Sequence, residues 1–154
     1  MDQGLIGAFV RSARDTFRDM FGLEAEPTPA RILGNSENHS WDITGLVGLA
    51  GQTQGVMAIR LTRAFAIALL TKSGMEAEGE AEADQMVSGI VGELSNIVAG
   101  SATSAITHID IEISPPVVVR GKNHEICWPA IGPVVAVALS FPEGSFELDL
   151  CVKG

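Results

Sequence analysis

At about Thr107 the apolar residues of this chain change their spacing, and that change limits the folds open to it. The segment before it carries apolar residues at helical spacing. After it the period is two, the signature of strands, and it stays two to the end. Ile109-Asp110-Ile111-Glu112-Ile113 alternates, Val117-Val118-Val119 stands between Pro116 and Gly121, and Glu125-Ile126-Cys127-Trp128 precedes Pro129. Residues 133–141 form a near-continuous apolar run, the mark of a central strand. A turn at Pro142-Glu143-Gly144-Ser145 leads into Phe146, Leu148, Leu150 and Val152, which alternate with Glu147, Asp149 and Cys151. Connections this short join antiparallel strands, because a parallel pair needs a crossover of a dozen or more residues.

The earlier half supplies the helices. Leu5, Phe9, Ala13, Phe17, Met20 and Phe21 are spaced three and four apart and predict a helix over 2–21, with Gly22 as its C′ residue. A Pro-containing connector, Glu24-Ala25-Glu26-Pro27-Thr28-Pro29, leads to a short strand over 30–34. Strands over 40–49 and 56–61 flank the turn Gly51-Gln52-Thr53-Gln54-Gly55 and read as a hairpin. Thr62 is placed to cap a helix over 63–73, closed by Gly74. The expected architecture is α+β: three helices packed on a mostly antiparallel sheet of six or seven strands. No linker divides the chain, so residues 1–154 are expected to form a single domain.

Composition narrows the function. Apolar residues make up 46% of the 154 and charged residues 19%, a globular balance. The net charge of −9 argues against nucleic acid or an anionic membrane surface as partner, since both attract basic patches. No apolar run reaches the roughly 20 residues of a membrane span. Met1-Asp2-Gln3-Gly4 carries acid where a signal peptide carries base, so a cytoplasmic location is expected. Cys127 and Cys151 are too few for a disulfide scaffold and are expected to be reduced, although one bridge is open to them if their strands are adjacent.

The helical pattern over 87–107 carries the functional signal. With 100° per residue and Leu94 at zero, Val87, Ile90, Val91, Ile97, Val98, Ser101 and Ala105 fall within about 60° and form the expected core face. Gly89, Glu93, Asn96 and Gly100 fall together at about −100° to −160°. A carboxylate and a carboxamide thus stand side by side, with a glycine one turn before and one turn after. Each glycine inside a helix costs about 1 kcal/mol relative to alanine, so Gly89, Gly92 and Gly100 need a reason. Tight packing on the helix's own sheet is one. Close approach of another protein's backbone around Glu93 and Asn96 is the other.

The run Gly92-Glu93-Leu94-Ser95-Asn96-Ile97-Val98-Ala99-Gly100-Ser101-Ala102 resembles the Glu-x-x-Asn helix of the CheC/CheX/FliY group of bacterial chemotaxis phosphatases. Asp42-Ile43-Thr44-Gly45-Leu46-Val47-Gly48-Leu49-Ala50-Gly51 with Gln54-Gly55 resembles the hairpin before that family's second helix. Ile113-Ser114-Pro115-Pro116-Val117-Val118-Val119-Arg120-Gly121 resembles the segment after its motif helix. The CheX branch fits better than CheC, because the first helix carries no second Glu-x-x-Asn. Gly89 departs from the pattern, standing where many relatives have Asp or Ser.

The resemblance implies a phosphatase acting on the aspartyl phosphate of a CheY-like receiver domain. Asn96 would orient the attacking water and Glu93 would pair with the receiver's active-site lysine, with Gly89, Gly92 and Gly100 in the partner-binding surface. The Mg²⁺ would belong to the receiver, and the chain would need no cofactor of its own. A homodimer is expected, with strands 117–119 and 133–141 the regions to examine. The alternative is a non-catalytic scaffold on the same fold that binds a receiver or a flagellar-switch component.

Rival chemistries find little support. Cys127 lacks the Cys-x5-Arg phosphatase loop, Pro133 standing where the arginine would be, and no Asp-x-Asp or phosphate-binding Gly-rich loop occurs. His39, His108 and His124 are isolated, without metal-ligand spacing, and are expected to be structural or solvent-facing. Trp41 and Trp128 are expected in the core or at a dimer contact. The run Glu76, Glu78, Glu80, Glu82 and Asp84 reads as a solvated segment whose acids suit a helix N-terminus.

Overall fold

The change of period near Thr107 coincides with the end of helical structure: the last helix stops at Ala105, and every later element is a strand. The computed structural model describes residues 3–34 and 40–153. Asp2 of the predicted first helix and His39 lie outside the described residues. In chain order the elements are α1 (Gln3–Phe21), β1 (Glu26–Pro27), β2 (Arg31–Ile32), β3 (Ile43–Gly51), β4 (Gly55–Leu61), α2 (Arg63–Lys72), α3 (Glu80–Ala105), β5 (Ile111–Ile113), β6 (Val117–Arg120), β7 (Val134–Phe141) and β8 (Gly144–Val152).

The helix ends form as their residues dictate. Gly22 takes φ 66° and donates to the Arg18 carbonyl at 2.9 Å, while Leu23 N–H reaches the Phe17 carbonyl at 3.4 Å. That closure needs a left-handed residue, which glycine supplies without a Cβ penalty. Thr62 Oγ1 accepts the Phe65 N–H at 3.1 Å and caps α2.

One antiparallel sheet runs β1-β7-β8-β4-β3-β5, with β2 also on β7 and β6 also on β3. Its eight strands among the described residues exceed the six or seven expected. Two-residue strands form within the Pro-containing connector and just after it, and lie along one edge of β7. Pro27 is tolerated there because an edge strand does not need every N–H. The alternating segment Glu125–Trp128 forms no strand; it lies in the 121–133 connection.

Period-two alternation on β8 sends Phe146, Leu148, Leu150 and Val152 to the helix-bearing face. Phe17 of α1 stacks there on Phe146 at 4.3 Å and on Phe141 at 5.1 Å, with Phe65 of α2 stacked on Phe141 at 5.7 Å. Each such ring contributes roughly 1.5–3 kcal/mol over an exposed one. Gly144 lets the β7–β8 turn reach this cluster, since a Cβ there would strike the Phe65 ring.

The opposite face is also covered. Glu147, Asp149 and Cys151 are buried, as is Arg60 of β4. The 121–133 connection folds over them. Arg60 Nη2 donates to the His124 carbonyl at 3.2 Å, His124 Nε2 lies 2.6 Å from Thr44 Oγ1, and Cys151 Sγ lies 3.6 Å from the Pro129 and Gly132 carbonyls. Arg31 Nη2 pairs with Glu147 at 2.9 Å, whereas Arg60 Nη1 stands 3.9 Å from Asp149 Oδ2. Burial first, then the adjacent Glu147 carboxylate, push the Asp149 carboxyl up to about 9. Burial likewise lowers the pKa of the Arg60 guanidinium and raises that of the Cys151 thiol. Cys127 is exposed, and both cysteines are free thiols. Trp41 and Trp128 are half-buried. No helix among the described residues is long and apolar enough to cross a membrane.

Candidate functional site

Helix α3 carries both polar candidates, and its N-terminal half is clamped by charge. Arg63 Nη2 reaches Glu80 Oε2 at 3.1 Å and Asp84 Oδ1 at 3.2 Å, and Arg120 Nη1 approaches Asp84 Oδ2 at 3.7 Å. Two of the five acids expected to be simply solvated thus tie α3 to α2 and β6. Glu80 and Glu82 lie in the first turn, where the helix dipole favours them.

The buried face of α3 sits about 60° further round the helix than the hydropathy pattern predicts. Ile97, Ser101 and Ala105, expected in the core, are exposed; Gly92, Ser95, Ala99 and Ala102 are buried instead. The cause is close packing through small residues on two sides. Ser95 turns its hydroxyl back to the Val91 carbonyl at 2.7 Å and lies directly on Gly45 of β3, where a Cβ would collide with it. On the other side Ser12 of α1 donates to the Val98 carbonyl at 2.8 Å.

This rotation leaves Glu93 and Asn96 exposed on neighbouring turns. Neither makes a hydrogen bond or ion pair with another described residue. Together with Gly92 they border a shallow depression of about 450 Å³, walled opposite by Ile113, Ser114, Pro115 and Pro116. Ser114 fixes that wall to β3: its N–H donates to the Gly48 carbonyl at 2.9 Å, and its Oγ accepts the Gly48 N–H at 2.8 Å. The sequence reading gave these wall residues no role. The adjacent prolines, which stiffen the connector, were the available signal.

The three helix glycines differ in surroundings. A Cβ on Gly89 would meet nothing within 4 Å, so this position opens fully to solvent. On Gly100 it would touch Ile113 Cδ1 at 3.8 Å. Gly92 is buried, and its Cβ would lie 3.4 Å from Val118 Cγ2 and 4.0 Å from Pro116 Cγ. The space at Gly92 is therefore taken by the chain's own β6.

Chemically, side chains of these two types can position a partner group or a water rather than attack one. A carboxylate accepts hydrogen bonds or pairs with a cation, and a carboxamide offers both a donor and an acceptor. Among the described residues no group of three His, Cys, Asp or Glu is placed to hold a metal ion. His124 is engaged by Thr44 and by the Gly121 carbonyl at 2.8 Å, and His108 is exposed.

Comparison with known proteins places this geometry in context. The family model described as chemotaxis phosphatase CheX matches residues 43–140, more than half of the chain and inclusive of both Glu93 and Asn96. The CheY-P phosphatase CheX of Thermotoga maritima is 27% identical over 99% of this chain and 98% of its own. The crystal structure of chemotaxis protein CheX from Vibrio vulnificus superposes with a TM-score of 0.85 at 29% identity, covering 97% of this chain and 99% of that one. The CheX of a Borrelia burgdorferi CheX–CheY–BeF3–Mg²⁺ complex superposes with a TM-score of 0.82 at 24% identity, covering 97% of each chain.

Proposed function

The chain belongs to the CheX family of chemotaxis phosphatases, and from that membership we propose that it hydrolyses the aspartyl phosphate of a CheY-like receiver domain. One observation carries the assignment to residues: Glu93 and Asn96 stand exposed and unengaged by other described residues beside a shallow depression, on a helix held from behind. The Thermotoga maritima relative is named for this activity, and the Borrelia burgdorferi relative was crystallised with CheY, BeF3 and Mg²⁺.

An acyl phosphate is already reactive, so the catalyst's work is to place water in line and steady the docked pair. Asn96 enters the receiver's site and holds a water through its carboxamide. The water attacks phosphorus, the P–O bond to the receiver aspartate breaks, and inorganic phosphate and a free carboxylate remain. Glu93 pairs with the receiver's active-site lysine, and the receiver holds the Mg²⁺. Gly89 and Gly100 keep the approach to the pair low, while Gly92 lets Pro116 and Val118 close its far side.

The test is phosphate loss from a phosphorylated CheY-type receiver. Asn96→Ala should lower the accelerated rate by about 10²–10³-fold, the scale on which one preorganised polar group acts, and should keep the parent's melting temperature. A variant as fast as the parent refutes the role. A parent that binds the receiver without accelerating phosphate loss supports the scaffold reading instead.

A further inference from the structure

α3 turns one large apolar side chain out to solvent, and it stands beside the site pair. Of the large apolar residues exposed among the described residues, Ile32, Met75, Ile97 and Val117, only Ile97 lies on this helix. Its exposed neighbours along the outward stripe are small or polar: Gln85, Gly89, Glu93, Asn96 and Ser101. A single exposed isoleucine is ordinary on a protein surface. Its position sets this one apart.

Ile97 follows Asn96 directly and stands one turn after Glu93. Residues three and four apart on a helix are neighbours, with Cβ atoms about 5–6 Å apart. At 100° per residue Glu93 lies between the other two. Asn96 leans toward the depression walled by Pro115 and Pro116, and Ile97 leans the other way and lines no part of it. The rotation of α3 that brings Gly92, Ser95 and Ala99 into the core is the one that leaves Ile97 open, at 37% exposure.

We propose that Ile97 is a specificity-determining contact for the receiver, buried against an apolar patch that borders the receiver's phosphorylation site when Glu93 and Asn96 engage it. The inference rests on the reading of Glu93 and Asn96 as the receiver site. A standard interface covers about 800 Å² of each partner, a disc about 30 Å across. A domain seated on both polar residues therefore also covers the side chain that adjoins both. Ile97 is then taken out of water. Against an apolar patch that burial adds affinity. Against an unpaired polar or charged group it costs affinity, because that group loses its water and gains no partner. Glu93 and Asn96 cannot make this distinction: on the proposed reading they address a lysine and an acyl phosphate, which every receiver of this type presents. The neighbouring isoleucine reads what surrounds those groups, and it does so in binding rather than in the chemical step.

The experiment measures binding of a CheY-type receiver loaded with beryllofluoride and Mg²⁺, alongside kcat and KM for phosphate loss and the melting temperature of each variant. Ile97→Ala removes the apolar contact, and Ile97→Gln replaces it with a polar side chain of similar reach. Alanine and glutamine are both good helix formers, and neither adds a charge beside Glu93. Each variant should raise Kd and KM about fivefold, with kcat at saturating receiver close to the parent's and a melting temperature no lower. Ile97→Leu, apolar and of the same size, should keep both constants near the parent's. Unchanged Kd and KM in Ile97→Ala and Ile97→Gln, while Asn96→Ala still slows phosphate loss, overturns the contact and leaves the phosphatase reading standing. A fall in kcat or in melting temperature with KM unmoved makes Ile97 a prop for the helix, and the inference fails. If Ile97→Gln instead dissociates copies of the chain in sedimentation, the residue's partner is a second copy, and the inference fails. A parent that neither binds the activated receiver nor hastens its phosphate loss overturns both readings.

Discussion

Asp149→Asn probes the least ordinary charge in the fold. Asp149 is fully buried on β8, beside Glu147 and 3.9 Å from Arg60 Nη1, too far for a hydrogen bond. Its carboxyl is pushed from 3.8 up to about 9, by burial first and then by Glu147. Between those values the folded chain holds one proton that the unfolded chain has released. The carboxyl's contribution to stability is therefore complete below the unfolded value and is lost as pH rises through the folded one. It is lost at about 1.4 kcal/mol per pH unit. Asparagine keeps the shape and cannot titrate. Stability of the variant relative to the parent should therefore grow by about 4 kcal/mol from about pH 5.5 to about pH 8.5. With a urea slope of roughly 2 kcal/mol per molar, the gap between midpoints should widen by about 2 M. His124, held by Thr44 and covering Arg60, is present in both proteins and cancels in the difference. The assay is urea unfolding of both proteins across that range. A gap that stays constant would show that Asp149 is ionised in the fold, and the reasoning would fail.

Two further predictions follow from the glycines. Gly45→Ala should destabilise the protein by roughly 1–3 kcal/mol, the usual cost of overpacking, because the new Cβ meets Ser95 and Val91 at once; an unchanged melting temperature would mean that α3 and β3 are not in close contact there. Gly89→Ala should stabilise the fold by up to about 1 kcal/mol, since the Cβ meets nothing, whereas Gly89→Phe should keep the melting temperature and raise KM for a phosphorylated receiver. A KM that does not move would remove the need for clearance at this position.

Period and punctuation made most of the elements legible. Leu5 to Phe21 reads as α1 because its apolar stripe faces a single core, and Gly22 and Thr62 act as the turn and cap their chemistry requires. The misreadings share one physical origin. Hydropathy marks where large apolar groups go, whereas the contacts that orient α3 are made by Gly45, Ser95 and Ser12. These small groups decide how near two backbones come, and they carry almost no hydropathy signal. The same blindness hid the covered outer face. Glu147 and Asp149 alternate with leucines as though bound for solvent, and nothing local reveals that residues 121–133 return across them. Glu125–Trp128 has a strand's alternation, yet the described structure gives it no ladder. The exposed pair was readable because it lies on one stripe of one helix, and the wall at Ser114–Pro116 was not, because it comes from a different element.

The manner in which α3 is held bears on what its exposed stripe can do. A side chain that positions water is effective only if its backbone does not yield, since misplacement of about 1 Å can cost about a hundredfold. Here the fixing contacts are all made away from Glu93 and Asn96: the Arg63 and Arg120 pairs at the N-terminal half, Gly45 under Ser95, and Ser12 on the Val98 carbonyl. The wall across the depression is fixed separately, through Ser114 on Gly48. Neither Glu93 nor Asn96 is needed to hold the helix, so both are free to engage a partner. On the proposed reading, stability and activity are carried by opposite faces of one helix. Substitutions at Glu93 and Asn96 should leave folding intact, while substitutions at Gly45 or Ser12 should reach the site only by moving the backbone beneath it.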